Sequence, residues 1–478
     1  MLVEFGVKNF RSFRDRQVLS LVATSDTELR DTNTTKTSAF KHSLVRSAVI
    51  YGPNASGKSN LIQALGFMHL FMLIAVNSPP TIGQRAIEHP LLKPFMLRTQ
   101  ERQAPTEFEL IFVHEDVRYQ YGLILDRELI HDEWLIAYPK GQPQTWFERR
   151  LCAGDMPTPT TIQQPLFDSL SGSPDTNTPR YSWYFGSKLA GEKQRLADIT
   201  RPDVPFLAAA AIFGNPQLRR VFDWFATHLA VLNPWGRPDL FGETARLAAE
   251  DPGLRAKIRA LLAHADVGID GFSVQVAPAK DDIGFTSLPS EIQQLLSGMS
   301  LQRTNVRMRH PAPETAEGYV ELPGEDESLG TQRFFSIAGP IILTLERGQV
   351  LVIDEIDDSL HPLLVRRLVE LFHSTETNPH GAQLIMNTHD VTLLDTRLFR
   401  RDQIWFTEKK HSGDSRLYPL SDYSPRKDEA LSKGYLHGRY GAVPALFDLG
   451  ESLRHPQDET ATTSSRRKPR QDNAETTH

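Results

Sequence analysis

The chain has 478 residues, which at about 100 to 200 residues per domain allows two to four compact units. Its 53 basic and 59 acidic residues give a formal net charge of -6, which excludes a chain-wide basic surface for nucleic acid but leaves room for a local basic patch. Hydrophobic residues make up 40% and charged residues 23%, so wholesale disorder, a collagen and a coiled coil are all excluded.

The N-terminal residues predict a strand and do not fit the pattern of a secretory signal. The sequence MLVEFGVKNFRSF alternates apolar and polar residues instead of forming a continuous apolar core. The uncharged stretch from Leu61 to Val76 is shorter than the roughly 20 apolar residues that a membrane span needs, so it predicts a buried helix. The single cysteine, Cys152, cannot form an internal disulfide, which favours a reducing compartment. We therefore expect a cytoplasmic protein with no membrane partner.

Hydrophobic periodicity predicts strands at both ends of the chain and helices between them. Residues 2–22 hold two alternating runs that should form an antiparallel pair, and residues 108–136 predict a second meander. Residues 186–265 favour helices, and residues 279–327 are polar and predict irregular structure. In the last third, strand-like and helix-like runs alternate, which is typical of a parallel sheet covered on both faces.

One stretch matches the phosphate-binding pattern G-x-x-x-x-G-K-[ST], between a predicted strand and a predicted helix. Its glycines let backbone N–H groups turn towards a phosphate, and a helix N-terminus attracts anions. Lys58 should reach the β- and γ-phosphates of a nucleotide, and Ser59 should hold Mg²⁺. The expected nucleotide-binding residues are Gly52, Asn54, Ala55, Ser56, Gly57, Lys58, Ser59 and Asn60.

A second candidate site follows the apolar run at residues 350–353, which ends in Asp354 and Glu355. Carboxylates at the end of a parallel strand lie at the sheet edge where ligands bind. Asp354 would support the water shell of the metal, and Glu355 would polarise an attacking water as a general base. The alternative is a solvated acidic strand end.

Three further motifs accompany these two in a fixed order. They are ESLGTQ at residues 327–332, DDSLHP at residues 357–362 and NTHD at residues 387–390. The complete order resembles the ABC-type ATPase head of the SMC, RecF and OLD proteins. The resemblance implies an α/β fold, namely an ABC-type P-loop ATPase head that has a mixed sheet with N-terminal antiparallel strands and an inserted, mainly helical lobe. It also implies ATP and Mg²⁺ as ligands.

In such heads the nucleotide site is shared between two subunits. The resemblance implies a signature segment that contacts the γ-phosphate held by the opposite subunit, a D-loop at the dimer seam and a histidine that senses the γ-phosphate. These residues are Ser328, Gly330 and Gln332, then Asp357 and Asp358, and finally His389. Two alternatives stay open, because Ser328 could be only a helix cap and His389 only a buried structural histidine.

Two further assignments are weaker. The sequence Asn-Phe-Arg-Ser at residues 9–12 resembles an N-terminal motif that carries an arginine to the nucleotide in several SMC-like heads. Arg11 is therefore a candidate nucleotide contact, with a surface turn arginine as the alternative. The Q-loop glutamine is unassigned between Gln84 and Gln120.

The predicted domain boundaries follow from the motif positions. Residues 1–150 and 321–450 should be the two parts of the ATPase head. Residues 151–320 should form the inserted lobe, since they contain no sustained heptad that would make a long coiled coil. Residues 451–478 lack aliphatic and aromatic anchors, apart from Leu453, and predict a disordered tail.

Two functions from different classes remain. Residues 433–444 resemble the terminal motif of AAA-family ATPases that are paired with a RloB-like protein in phage-defence and abortive-infection operons. This predicts an ATP-driven switch that forms a homodimer or higher oligomer and controls a separately encoded effector, RloB-like or otherwise toxic.

The alternative is a RecF- or SMC-like ATPase that clamps DNA in repair or chromosome maintenance. Its candidate DNA contacts are Arg366, Arg367, Arg397, Arg400 and Arg401. A solvated helix face is the other explanation of these arginines. An OLD-type nuclease is disfavoured, because only 89 residues follow His389.

Overall fold

The computed structural model describes residues 1–75, 91–152, 179–232, 239–265, 267–278, 302–423 and 429–444. Eighteen strands are assigned in these ranges, together with eleven α-helices. The strands are β1 Leu2–Lys8, β2 Gln17–Ser20, β3 Thr34–Thr37, β4 Phe40–Val45, β5 Ser47–Tyr51, β6 Thr106–His114, β7 Val117–Leu125, β8 Ile130–Tyr138, β9 Gln144–Leu151, β10 Tyr181–Phe185, β11 Leu229–Leu232, β12 Gly271–Pro278, β13 Gln302–Pro311, β14 Tyr319–Pro323, β15 Val350–Ile353, β16 Gln383–Asn387, β17 Ile404–Lys409 and β18 Ser415–Pro419. The helices are α1 Arg30–Asn33, α2 Lys58–Ile74, α3 Thr99–Gln103, α4 Lys193–Ile199, α5 Phe206–Ile212, α6 Pro216–Thr227, α7 Leu240–Glu250, α8 Pro252–His264, α9 Leu329–Arg347, α10 Pro362–His373 and α11 Leu431–Leu436.

The first sheet is antiparallel and has seven strands in the order β10-β9-β8-β7-β6-β1-β2. The predicted N-terminal pair is confirmed, since β1 pairs with β2 from Glu4↔Ser20 to Val7↔Gln17. The predicted meander is also present as β6 to β8, joined to the other edge of β1, and it continues beyond the predicted range into β9. Alternating residues of these strands are buried, as expected for a sheet that covers a core with one face.

The second sheet has six strands in the order β11-β15-β16-β5-β17-β18. All neighbours are parallel except β17 and β18. Every residue of β5, β15 and β16 is buried, because helices or the other sheet cover both faces. Since β16 lies between β5 and β15, the chain segments that follow these three strands emerge side by side at one edge.

Two hydrophobic cores lie on the two faces of this parallel sheet. The first contains α2, α5 and α6 and the inward residues of the antiparallel sheet. The second contains α7, α8, α9 and α10. The predicted buried helix is therefore confirmed as α2, sandwiched between the two sheets, and none of the helices within the described ranges is long and apolar enough to cross a membrane.

Two strands from the predicted inserted lobe belong to the two large sheets. The described part of residues 151–320 contains five helices, but β10 joins the edge of the antiparallel sheet and β11 joins β15 in the parallel sheet. The inserted lobe itself stays a prediction. Residues 302–311 and 319–323 are also not irregular, because β13 pairs with β12 and β14 pairs with β13 in a three-stranded antiparallel sheet. The polar segment at residues 25–42 contains α1, β3 and the start of β4. The predicted tail at residues 451–478 lies outside the described ranges.

Candidate nucleotide-binding site

The glycine loop leaves β5 and enters α2 as the motif predicts. Gly57 precedes the helix with a φ of 115°, a left-handed conformation that glycine adopts without strain. A Cβ atom at Gly57 would lie 2.7 Å from Ser415 Oγ and 2.9 Å from Ser12 Oγ. Ser56 Oγ lies 2.6 Å from the hydroxyl of Thr407 on β17. The loop is therefore held on two sides by neighbouring segments.

Lys58 lies at the centre of a group of acidic side chains. Its Nζ donates to the carbonyl oxygens of Gly52, at 2.8 Å, and Pro53, at 3.2 Å. Burial lowers the pKa of Lys58 to about 8, while the charges of Glu355, Asp354 and Asp357 oppose that shift. The two motifs, 296 positions apart in the chain, thus meet around this ammonium group.

Asp354 and Ser59, the two expected Mg²⁺ residues, contact each other. The Ser59 hydroxyl donates to the Asp354 carboxylate, and the amide of Asn387 donates to Asp354 Oδ1. Burial raises the pKa of Asp354, and these two hydrogen bonds oppose the shift. A hydroxyl and a carboxylate side by side are hard oxygen ligands of the kind that Mg²⁺ prefers, so the residues fit the ion.

Glu355 is held in a left-handed backbone conformation with a φ of 51°. Its backbone N–H donates to Asn387 Oδ1, so one amide side chain holds the carboxylate of Asp354 and the backbone of Glu355. We did not identify Asn387 as a site residue from the sequence. The available signal was its place as the first residue of the NTHD motif.

His389 lies beside the same group. Its backbone N–H donates to Asp357 Oδ2 at 3.1 Å, which ties the D-loop to the segment after β16. Burial, followed by the charge of Lys58, lowers the pKa of His389, whereas Asp357 and Glu355 act in the opposite direction. The structure therefore brings His389 and Asp357 to the Lys58 site, and Asp358 follows in the same turn.

The signature residues open α9. Ser328 caps the helix, accepting from the backbone N–H of Thr331 at 3.1 Å. Gln332 Nε2 donates to the carbonyl oxygens of Glu325, at 3.1 Å, and Glu327, at 2.8 Å. Gly330 packs against the D-loop, where a Cβ atom would lie 2.6 Å from the carbonyl oxygen of Ser359. In the described part of the chain, none of the hydrogen bonds of Ser328 and Gln332 reaches the phosphate loop of the same subunit.

Arg11 lies in a tight turn next to the phosphate loop. The following residue, Ser12, accepts from Asn60 Nδ2 at 2.7 Å. Burial lowers the pKa of Arg11, and its Nε is buried with no hydrogen-bond partner among the described residues. The turn that contains Arg11 thus lies beside Asn60, and Arg11 stays a candidate nucleotide contact.

Neither glutamine can be assigned to a Q-loop. Gln120 is held in the antiparallel sheet by Glu109 Oε1, at 2.7 Å, and by Tyr138 Oη, at 3.1 Å. Gln84 lies outside the described ranges.

The five arginines proposed for DNA all lie near acidic side chains. Arg400 is buried in an ion pair with Asp402, and Arg401 lies 4.0 Å from Asp26. The other three, Arg366, Arg367 and Arg397, pair with Glu370 or Asp395. These arginines are therefore weak candidates for a free phosphate-binding patch.

A glycine loop between a parallel strand and a helix, facing two carboxylates two strands away, defines a P-loop nucleotide-binding protein of mixed α/β fold. The chain belongs to the family described as "AAA domain, putative AbiEii toxin, Type IV TA system", whose model matches residues 47–395. No curated protein matches the sequence.

Solved structures that are similar to this chain include two SMC heads. The SMC head domain from Thermotoga maritima is 13% identical, with a TM-score of 0.36, and the match covers 87% of this chain and 98% of that one. The Smc head with an extended coiled coil bound to the C-terminal domain of ScpA, from Pyrococcus furiosus, is 13% identical with a TM-score of 0.37, covering 88% and 97%.

Proposed function

We propose that this protein is a Mg²⁺-dependent ATP-binding and ATP-hydrolysing switch. In this proposal its dimer forms shared nucleotide sites and controls a separately encoded effector in antiphage defence. The observation that carries the proposal is the meeting of Lys58, Asp354, Glu355 and His389 at one phosphate loop.

Each residue has a distinct role in this proposal. The loop amides and Lys58 bind the phosphates, and Arg11 and Asn60 lie where they would contact the same nucleotide. Ser59 and Asp354 would hold Mg²⁺, which neutralises charge that develops on the phosphates. Glu355 orients and polarises the attacking water, and His389 contacts the γ-phosphate.

The proposed dimer uses the surface around the start of α9. Leu329 and Leu363, at the first turns of α9 and α10, are 73% and 67% exposed. Between these helices lies a groove of about 690 Å³ lined by Ser328, Gly330 and Ser359. The exposed leucines are suited to contact a second copy of the chain. The N-terminus of α9 is suited to face the phosphates that this second copy holds.

Control of an effector is supported by the family and by the C-terminal motif. The description of the family names a putative AbiEii toxin and a type IV TA system. Within the motif, Tyr435 and Tyr440 stack on Phe406, next to the phosphate-loop strand. A change at the nucleotide site can therefore alter the surface around this motif through direct packing contacts, and a partner bound at that surface can in turn alter the nucleotide site. We propose a cytoplasmic location, with an effector that is RloB-like or otherwise toxic.

Three variants test the shared site. Lys58→Ala should abolish nucleotide binding, because the phosphates lose their buried cation. Glu355→Gln should retain ATP and accumulate as a dimer, measured by light scattering. Ser328→Arg should bind nucleotide but not hydrolyse it, and its mixture with Lys58→Ala should restore at most one working site.

The matched control is Ser187→Arg, at an exposed turn, which should keep wild-type turnover. Wild-type turnover in Ser328→Arg would contradict shared sites.

Co-purification with the product of the adjacent gene, with and without ATP, tests the effector. Turnover that rises with DNA length and falls steeply with salt would instead favour a DNA clamp.

A further inference from the structure

Arg333 joins the start of α9 to the two carboxylate residues of the same subunit. Its Nη2 donates to the backbone carbonyl oxygens of Asp354, at 3.4 Å, and Glu355, at 3.3 Å. Its Nε is buried without a hydrogen-bond partner among the described residues. The half-buried guanidinium therefore contacts this segment through Nη2, while its Nε is shielded from water.

The contact is to the backbone and not to the carboxylates. Within the described ranges, Arg333 forms no ion pair, although Asp358, Glu355 and Asp354 all lie close enough to oppose the lowering of its pKa by burial. An arginine that neutralised Glu355 would weaken it as a base. An arginine that holds the carbonyl oxygens of the two peptide groups flanking Glu355 can orient the Glu355 carboxylate and leave its charge intact.

A second contact fixes the same two segments together. Gly330, one turn before Arg333, packs on the carbonyl oxygen of Ser359. The first turns of α9 are thus attached at two points to residues 354–359, the segment that contains Glu355. Any displacement of the helix start is transmitted directly to that segment, since packed interiors move as discrete units.

We propose that Arg333 is a positioning residue that couples the two nucleotide sites of the dimer. When Ser328 engages the nucleotide held by the partner subunit, α9 settles against residues 354–359, and Arg333 places Glu355 of its own subunit for hydrolysis. Each subunit then hydrolyses its own ATP about tenfold faster when the opposite site is also filled. This inference rests on the proposed function and adds a cause for cooperativity between the sites.

The first test compares Arg333→Gln and Arg333→Lys with Arg347→Gln, an exposed arginine at the other end of the same helix. We expect Arg333→Gln to lower kcat about tenfold, with nucleotide affinity within about twofold of wild type and a Hill coefficient near one. Arg333→Lys should recover part of kcat, because it restores the charge but not the forked donor. Arg347→Gln should match wild type.

The second test separates coupling from a purely structural role. A limiting amount of wild type or Arg333→Gln is mixed with a large excess of Lys58→Ala, which supplies Ser328 but leaves its own site empty. The coupling proposal predicts equal turnover for the two mixtures, within about twofold, since neither active subunit receives a signal through α9. A structural role predicts that Arg333→Gln is as defective in the mixture as it is alone.

The outcomes distinguish this inference from the proposed function. Undetectable wild-type hydrolysis, or wild-type turnover by Lys58→Ala, would overturn the proposed function itself. Normal wild-type hydrolysis combined with an unaffected Arg333→Gln, or with a full defect in the mixture, would overturn only the coupling role.

Discussion

At the scale of single residues, Asn387 shows how one amide contacts both residues of the acidic pair. Its Nδ2 donates to Asp354 and its Oδ1 accepts the backbone N–H of Glu355. Loss of such a supporting contact at a metal site costs about 10- to 100-fold in activity or metal affinity. We expect Asn387→Ala to lower kcat by about that factor in an ATPase assay, with smaller losses in nucleotide affinity.

The control for Asn387→Ala is Asn305→Ala, at an exposed position of β13, which should retain full turnover. Thermal unfolding of both variants shows whether the fold is kept. An unchanged kcat in an Asn387→Ala protein with an intact fold would show that Asn387 has no role in hydrolysis.

The second prediction at this scale concerns the pH dependence of nucleotide binding. Burial lowers the pKa of Lys58 to about 8. Below that pH the ammonium is charged and ready for phosphate. Above it, binding must first restore the proton, so affinity should fall by up to about tenfold per pH unit until the pKa of the bound state is reached.

The affinity of a fluorescent ATP analogue, measured on both sides of pH 8, checks this expectation. In Lys58→Arg the guanidinium stays charged throughout the range, so its affinity, though lower, should not show this pH dependence. Equal pH dependence in both proteins would assign the titration to another group.

At the scale of elements, the close packing of α9 against the D-loop predicts the effect of a single methyl group. A Cβ atom at Gly330 would lie 2.6 Å from the carbonyl oxygen of Ser359, which is backbone and cannot rotate away. Gly330→Ala should therefore displace the helix start, lowering ATP-dependent dimerisation and turnover but not the binding of nucleotide to single subunits. Analytical ultracentrifugation with and without ATP measures the dimer.

The matched control is Gly253→Ala in the first turn of α8, where the new Cβ would meet only the flexible Asp251 carboxylate, at 3.1 Å. This variant should dimerise as wild type does. If Gly330→Ala also does so, the D-loop contact has no part in dimer formation.

Some elements of this fold could be predicted from the sequence, and others could not. The phosphate loop and the strand before Asp354 were predictable because each is a contiguous pattern with a local physical cause. The placement of β11 was not, because its partner β15 lies more than a hundred residues away and its apolar residues fit a helix equally well. Strand β13 was missed because its sequence, QRTNVRMRHP, has few apolar residues to reveal a period of two.

At the scale of the whole molecule, the two sheets and the helices between them could be anticipated only in part. The order of motifs predicts that β5 and β15 share a parallel sheet, but not that β16 separates them. The contact between Asn387 and Asp354 depends on that placement, which is why the role of Asn387 emerges from the structure.

A buried polar cluster at the opposite end of the parallel sheet from the nucleotide site links stability to pH. Ser47 Oγ lies 2.8 Å from His373 Nε2 and also accepts from Gln403 Nε2 at 2.8 Å. The cluster joins β5, α10 and the turn that leads into β17. Burial, followed by the charge of Arg46, lowers the pKa of His373 to about 3.

The sign of the effect follows from proton binding. Above pH 6.5, His373 is neutral in both the folded and the unfolded chain. Below pH 6.5, His373 binds a proton in the unfolded chain but stays neutral in the folded chain. The free energy of unfolding should therefore fall with decreasing pH, by up to about 1.4 kcal/mol per pH unit from this group. Other buried histidines also make the free energy of unfolding depend on pH. The contribution of His373 is therefore obtained by comparing wild type with a variant that lacks this histidine.

The variant for that comparison is His373→Gln, whose side-chain amide can still bond to Ser47 but does not titrate. Urea unfolding of both proteins, between neutral pH and about pH 5, gives the two curves. We expect the wild-type curve to fall more steeply, so that the variant, less stable at neutral pH because its packing is altered, approaches or exceeds wild type in acid. Parallel curves would mean that His373 takes up its proton equally in the folded and unfolded chains, and that the cluster is open to water.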